Sequence, residues 1–167
     1  ASPDFKRLVR WLTFFALFNA SDVFLILKAQ AVGFSATDAI LGYCLYNLVY
    51  AAAAYPVGCL ADRWGTRPSL ICGLSIYAGV YIGFAQVSSS VMCWGLFAIY
   101  GIYAALTEGV AKAWLSNLAP EQRGTALGIQ SALASLAAII ASTGTGLLWT
   151  FVDSTLPFYI AAMAAVI

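Results

Sequence analysis

Five predominantly apolar stretches, at residues 8–28, 35–61, 69–87, 91–118 and 124–152, constrain this chain more than any other feature. Each is long enough to cross a hydrocarbon layer of ~30 Å, which takes about 20 helical residues. A soluble core built from 167 residues could not hide so much apolar surface, so the solvent must be lipid. Only 9% of the residues are charged, against about 25% in soluble domains. A transmembrane β-barrel is not expected, because it would show segments of about ten residues alternating apolar and polar. The expected fold is therefore all-α, a polytopic transmembrane bundle with five full spans. A sixth run starts at Pro157, a residue suited to the first helical position. The run to Ile167 covers about half a bilayer at ~1.5 Å per residue, so this span reads as truncated.

The connections look like membrane turns. Gly33 can end the first span, and Ser35-Ala36-Thr37-Asp38 supplies a capping-box-like start for the second. Ser88-Ser89-Ser90 makes a minimal hairpin, and Pro120-Glu121-Gln122-Arg123-Gly124 a charged turn. Lys6, Arg7, Arg10, Arg63, Arg67 and Arg123 fall on one side, joined by Lys112 if it snorkels, while Lys28 lies on the other. The positive-inside rule then puts the amino terminus and the turn around Gly65 in the cytoplasm. The chain begins without methionine and its first run lacks a small-residue cleavage site, so it reads as a piece of a longer protein rather than one led by a signal peptide.

Several function classes are disfavoured. The net charge of +1 and the lack of a basic stripe argue against nucleic acid as a partner. There is no histidine, and Cys44, Cys59, Cys72 and Cys93 lack metal-ligand spacing, so no metal or cofactor is expected. No nucleophile elbow, zinc-protease helix or phosphate-binding glycine loop is visible, which argues against an enzyme.

Residues 58–68, Gly-Cys-Leu-Ala-Asp-Arg-Trp-Gly-Thr-Arg-Pro, pack an acid, two guanidiniums and two glycines between the second and third spans. Gly58, Leu60, Asp62, Arg63, Gly65 and Arg67 resemble the G-x-L-x-D-R-x-G-R-[RK] signature of the major facilitator superfamily. Thr66 departs from the pattern, which fits a copy from the carboxy-terminal half. Ala119-Pro120-Glu121-Gln122-Arg123-Gly124 resembles the P-E-x-x-R-G turn of the same superfamily. The resemblance covers nearly the whole chain and implies one six-helix half of a transporter. The implied partners are the lipid bilayer, an amino-terminal half or a second copy, and a small-molecule substrate. The implied activity is secondary active transport by alternating access. Proton-coupled efflux of small organic compounds is the first expectation, with metabolite uptake or a non-transporting membrane scaffold as alternatives. The implied location is a bacterial inner membrane. First, second, fourth and fifth spans would line the cavity, with the third and sixth facing outward.

Charges inside spans are expensive and mark candidate sites. Asp22 lies twelve residues past Arg10, about 18 Å along the first span, with Asn19 one turn before it on the same face. It is either a substrate- or proton-binding carboxylate or a structural acid satisfied by Asn19 or by a neighbour such as Lys28. Glu108 and Lys112 form an i, i+4 pair expected to pack against protein and to act as a cytoplasmic gate with Asp62 and Arg63. The full latch set is Gly58, Asp62, Arg63, Gly65, Arg67, Glu108, Lys112 and Arg123. Tyr43, Asn47 and Tyr50 share one face, as do Tyr100, Tyr103 and Thr107. Asn19, Asp22, Asn47, Tyr50, Tyr103, Thr107 and Gln130 are the cavity candidates. Gly124, Gly128, Ser131, Ser135, Ala138, Ser142 and Thr145 form a small-residue stripe suited to tight helix contact.

Overall fold

The computed structural model describes residues 3–166, and all regular structure among them is helical. The helices are α1 (Pro3–Ala16), α2 (Val23–Ala31), α3 (Ala36–Trp64), α4 (Thr66–Gln86), α5 (Ser90–Leu118), α6 (Arg123–Phe151) and α7 (Leu156–Val166). Helices α3 to α6 are long and apolar enough to cross a membrane and coincide with the second to fifth expected spans. Helix α7 is the short sixth run, whose last residue, Ile167, lies outside the described residues.

The first span is not continuous. Helix α1 tightens at its end, where the Leu17 and Phe18 amides donate to carbonyls three residues back, Phe14 and Phe15. The chain then leaves the helix until Val23. Asn19, Ser21 and Asp22 are residues whose side chains compete for backbone hydrogen bonds, which favours caps and turns over helix interiors. The Ser21 amide donates to Ser142 Oγ on α6 at 3.2 Å, so a neighbouring helix replaces the lost helical partner.

The ends of the other helices have local causes. Ser35 Oγ accepts from the Asp38 amide at 3.1 Å and Asp38 Oδ2 accepts from the Ser35 amide at 3.4 Å, the reciprocal capping box expected there. The expected loop at 58–68 is almost entirely helical. Helix α3 continues through Pro56 to Trp64 and α4 begins at Thr66, leaving Gly65 as the whole connection. Gly65 has φ +93°, a backbone region that side chains other than glycine's rarely adopt. One left-handed residue therefore reverses the chain, and the charges around it are set on helix ends instead of a flexible loop.

Helix α5 is the spine: α3 and α4 pack along it, α7 lies along α4, and α1 lies along α6. Close approach of α3 and α5 depends on Gly101, where a Cβ would stand 2.6 Å from the Tyr46 carbonyl oxygen and 3.0 Å from the Tyr50 amide. Tyr77 and Phe84 of α4, Phe97 of α5 and Phe158 of α7 are fully buried at the centre. The third span, expected to face outward, thus contributes much of the interior of this bundle. It is sandwiched between α5 and α7, so its aromatic residues point into the protein.

Candidate functional site

The break in the first span puts polar groups deep in an apolar bundle, and tyrosines from three helices meet them there. Asp22 Oδ1 accepts from the Tyr100 hydroxyl of α5 at 2.7 Å, and Oδ2 accepts from the Tyr43 hydroxyl of α3 at 3.4 Å. Asn19 Oδ1 accepts from Tyr77 and Tyr81 of α4 at 3.2 and 3.5 Å. Asn19 and Asp22 therefore do not share one helical face, because the helix that would align them is interrupted. They turn to separate tyrosine pairs. Tyr100 lies ten residues into the 29-residue α5, about 15 Å from its end, which puts Asp22 near mid-membrane. A carboxyl group at that depth is costly unless partnered. Its hydrogen-bond donors here are phenols; of the expected alternatives, Asn19 is bonded to Tyr77 and Tyr81, and Lys28 makes no ion pair with Asp22 among the described residues.

Lys28 is buried on α2 near the connection between α6 and α7. There the hydroxyl and amide of Thr155 donate to Asp153 and hold its carboxyl below the usual carboxylate range, with a smaller contribution from the Lys28 charge.

The tyrosines form a continuous aromatic network. On α3, ring centroids of Tyr43 and Tyr46 are 5.2 Å apart, and Tyr46 stacks on Tyr50 with an interplanar angle of 8°. Tyr46 packs 5.0 Å from Tyr100, which packs 5.2 Å from Tyr103. Tyr103 continues to Tyr77, and Tyr77 to Tyr81 at 4.0 Å. Such pairs contribute about 0.5–1.5 kcal/mol each beyond area burial. Tyr46, Tyr77, Tyr81, Tyr100 and Tyr103 are buried, whereas Tyr43 and Tyr50 are half-buried and border exposed Asn47. Asn47 turns back and donates to its own helix, at the Tyr43 carbonyl, 2.8 Å away. The accessible edge of the network is thus the α3 stripe Tyr43, Asn47 and Tyr50.

The other cavity candidates are placed differently. Thr107 is buried, donates to the Tyr103 carbonyl at 2.9 Å and fills the notch at Gly73 with its methyl group. Gln130 shares a stripe of α6 with Ala126, Leu127 and Leu133, which pack α6 against α1, and its Oε1 is buried without a hydrogen-bond partner. Tyr46, Tyr77 and Tyr81 are the members that sequence reasoning missed. Tyr46 sits at i+3 from Tyr43, and Tyr77 and Tyr81 form an i, i+4 pair, spacings that marked shared faces.

Among the described residues the latch candidates do not assemble into one cluster. Glu108 and Lys112 approach to 3.9 Å, with side chains 46% and 68% exposed, so the pair is not packed against protein here. Glu108 accepts instead from the Tyr50 hydroxyl of α3 at 3.4 Å. Asp62, Arg63 and Arg123 are exposed. A Cβ on Gly58 would meet nothing within 4 Å among the described residues, so no helix of this chain approaches closely there. Gly65 makes the turn, and the Arg67 guanidinium stacks 5.6 Å over Trp114. Arg67 also borders a groove of about 600 Å³ at the basic end, shared with Arg7, Trp11 and Leu74. In the small-residue stripe of α6, Gly124, Gly128, Ser131 and Ser135 are exposed, while at its far end Ser142 and Thr145 meet other parts of this chain.

Residues 8–167 match the family model described as Major Facilitator Superfamily. The chain belongs to this superfamily. It is 36% identical over 153 residues to an uncharacterized MFS-type transporter of Methanocaldococcus jannaschii, covering 87% of this chain and 38% of that protein. A second uncharacterized MFS-type transporter of the same organism is 29% identical over 133 residues, covering 78% of this chain and 34% of that protein. The chain thus spans well under half the length of the curated relatives it matches. Membership of the Major Facilitator Superfamily, with four helices of spanning length, makes it an integral membrane protein.

Proposed function

We propose that this chain is the carboxy-terminal half of a secondary active transporter that moves a small organic solute by alternating access, with the proton gradient driving efflux. The observation that carries this reading is the mid-membrane carboxylate at the interrupted first span, held by phenols of two other helices. An interrupted helix frees backbone and side chains to change partners, and a carboxylate there can carry a proton or a solute between two arrangements of the bundle. The Tyr43–Asn47–Tyr50 edge leads from Asp22 to Glu108, giving the solute a polar and aromatic wall. A partner half, or a second copy, would close that wall. The basic end would face the cytoplasm of a prokaryotic cell, in its plasma membrane.

Reconstitution of the full-length protein in liposomes with an imposed pH gradient tests the reading. Solute flux should follow the gradient, and Asp22→Asn with Glu108→Gln should uncouple flux from it. Absence of any solute flux from a folded protein would overturn transport. Full pH-gradient dependence in the double variant would overturn the assignment of proton coupling to these carboxylates.

A further inference from the structure

We propose that the solute bound at this site is a lipophilic organic cation, held by Asp22 and the tyrosine faces of α3. The inference rests on the transport reading and names its substrate class. Asp22 and Glu108 stand at the two ends of one aromatic ladder, each touching a tyrosine hydroxyl seven residues from the other's. Seven helical residues span about 10 Å, the length of a molecule with two or three rings. Between the carboxylates lie the half-buried rings of Tyr43 and Tyr50, with the buried Tyr46 ring packed against both.

The charge balance of this wall selects the sign of its occupant. Its two carboxylates face one ammonium, Lys112, which stands 3.9 Å from Glu108 and is mostly exposed. Asp22 has no ion-pair partner among the described residues, and its hydrogen bonds come from neutral phenols. Those donors satisfy its lone pairs but leave its charge uncompensated in a low-dielectric setting. A cation restores the balance, whereas an anion meets repulsion. Tyrosine faces carry negative charge density and attract a cation set over them, more strongly where water is excluded. The wall offers few hydrogen-bond donors beyond the hydroxyls already committed, because the Asn47 amide is turned back on its own helix. A heavily hydroxylated solute would find little to pair with. A cation with an aromatic or alkyl body matches both charge and surface.

The test compares two probes of nearly the same shape and opposite charge, tetraphenylphosphonium and tetraphenylborate, binding to the purified full-length protein in lipid nanodiscs. Tetraphenylphosphonium should bind and tetraphenylborate should not displace it. Asp22→Asn should weaken tetraphenylphosphonium binding about tenfold or more, an isosteric loss of charge. Tyr50→Leu should weaken it about threefold to tenfold, whereas Tyr50→Phe should retain most of it, because the ring face and not the hydroxyl makes the contact. If Asp22→Asn fails to yield folded protein, the half-exposed Tyr50 pair carries the test alone. Equal binding of both probes, or Tyr50→Leu and Tyr50→Phe behaving alike, would overturn the cation assignment. Flux of a neutral or anionic solute without tetraphenylphosphonium binding would leave transport standing and remove the cation. Tetraphenylphosphonium binding that depends on Asp22, without any flux, would do the reverse.

Discussion

Helices α4 and α5 on one side, and α3 and α6 on the other, are comparably apolar yet are used in opposite ways. Along their most apolar stretches, 56% of the residues of α4 and of α5 are buried, against 17% for α3 and for α6. Three glycine notches of the first pair are occupied, Gly73 by Thr107 and Leu106, Gly83 by Leu96 and Gly101 by the α3 backbone, while Gly79, Gly95 and Gly109 of the same helices stay open. Those of α6, at Gly124, Gly128 and Gly144, open on empty space. Large residues such as Leu48 of α3 and Leu136, Ile139 and Ile140 of α6 are likewise uncovered. In lipid, hydropathy alone does not drive one helix against another, so shape decides which helices pair. The interior belongs to the helices whose small residues meet a partner's backbone or branched side chain.

The sharpest way to break this comparison is at the α3–α5 crossing. Gly101→Val should destabilise the protein by about 3 kcal/mol, because its side chain would meet α3 backbone that cannot rotate aside. Unfolding in mixed detergent would measure it, and a loss well below 1 kcal/mol would mean the crossing is not rigid. Next comes Asp22→Leu, which strips the Tyr100 hydroxyl of its acceptor at mid-membrane and should cost about 2 kcal/mol in the same assay. Asp22→Asn keeps an acceptor and should cost less than half as much. Ser35→Ala removes the capping box of α3 and should cost about 1 kcal/mol, a loss readable as a lower melting temperature. The smallest effect is expected from Gly128→Val on the open face of α6, within about 0.5 kcal/mol. A larger loss in the full-length protein would show that a partner covers α6 as tightly as α5 is covered here.

Four of the spans were legible because the bilayer imposes a length, and any helix that meets it shows as a long apolar run. The first span was misread as continuous for the same reason: hydropathy averages over Asn19, Ser21 and Asp22, whereas the backbone responds to each. Those residues, all of the type that caps helices, were the available signal. Asp22 stood out as a site candidate because a charge in an apolar run is rare, but its partners were hidden. Tyr100 is 78 residues away in sequence, and no local pattern connects them. Tyr77 and Tyr81 lie on the third span, which the family resemblance implied to face outward. The 58–68 segment was legible as a motif but not as a shape, since its charge and glycines suggested a loop where one positive-φ residue suffices.

The hydrogen bond from the Ser21 amide to Ser142 Oγ has a mechanical consequence. It pins the helix break of the first span to α6, one of the two sparsely covered helices. Sliding α6 by an ångström or two would strand a backbone amide in hydrocarbon, a penalty of about 1–3 kcal/mol. The joint and α6 therefore move as linked parts, and whatever presses on the open face of α6 is felt next door, at Asp22.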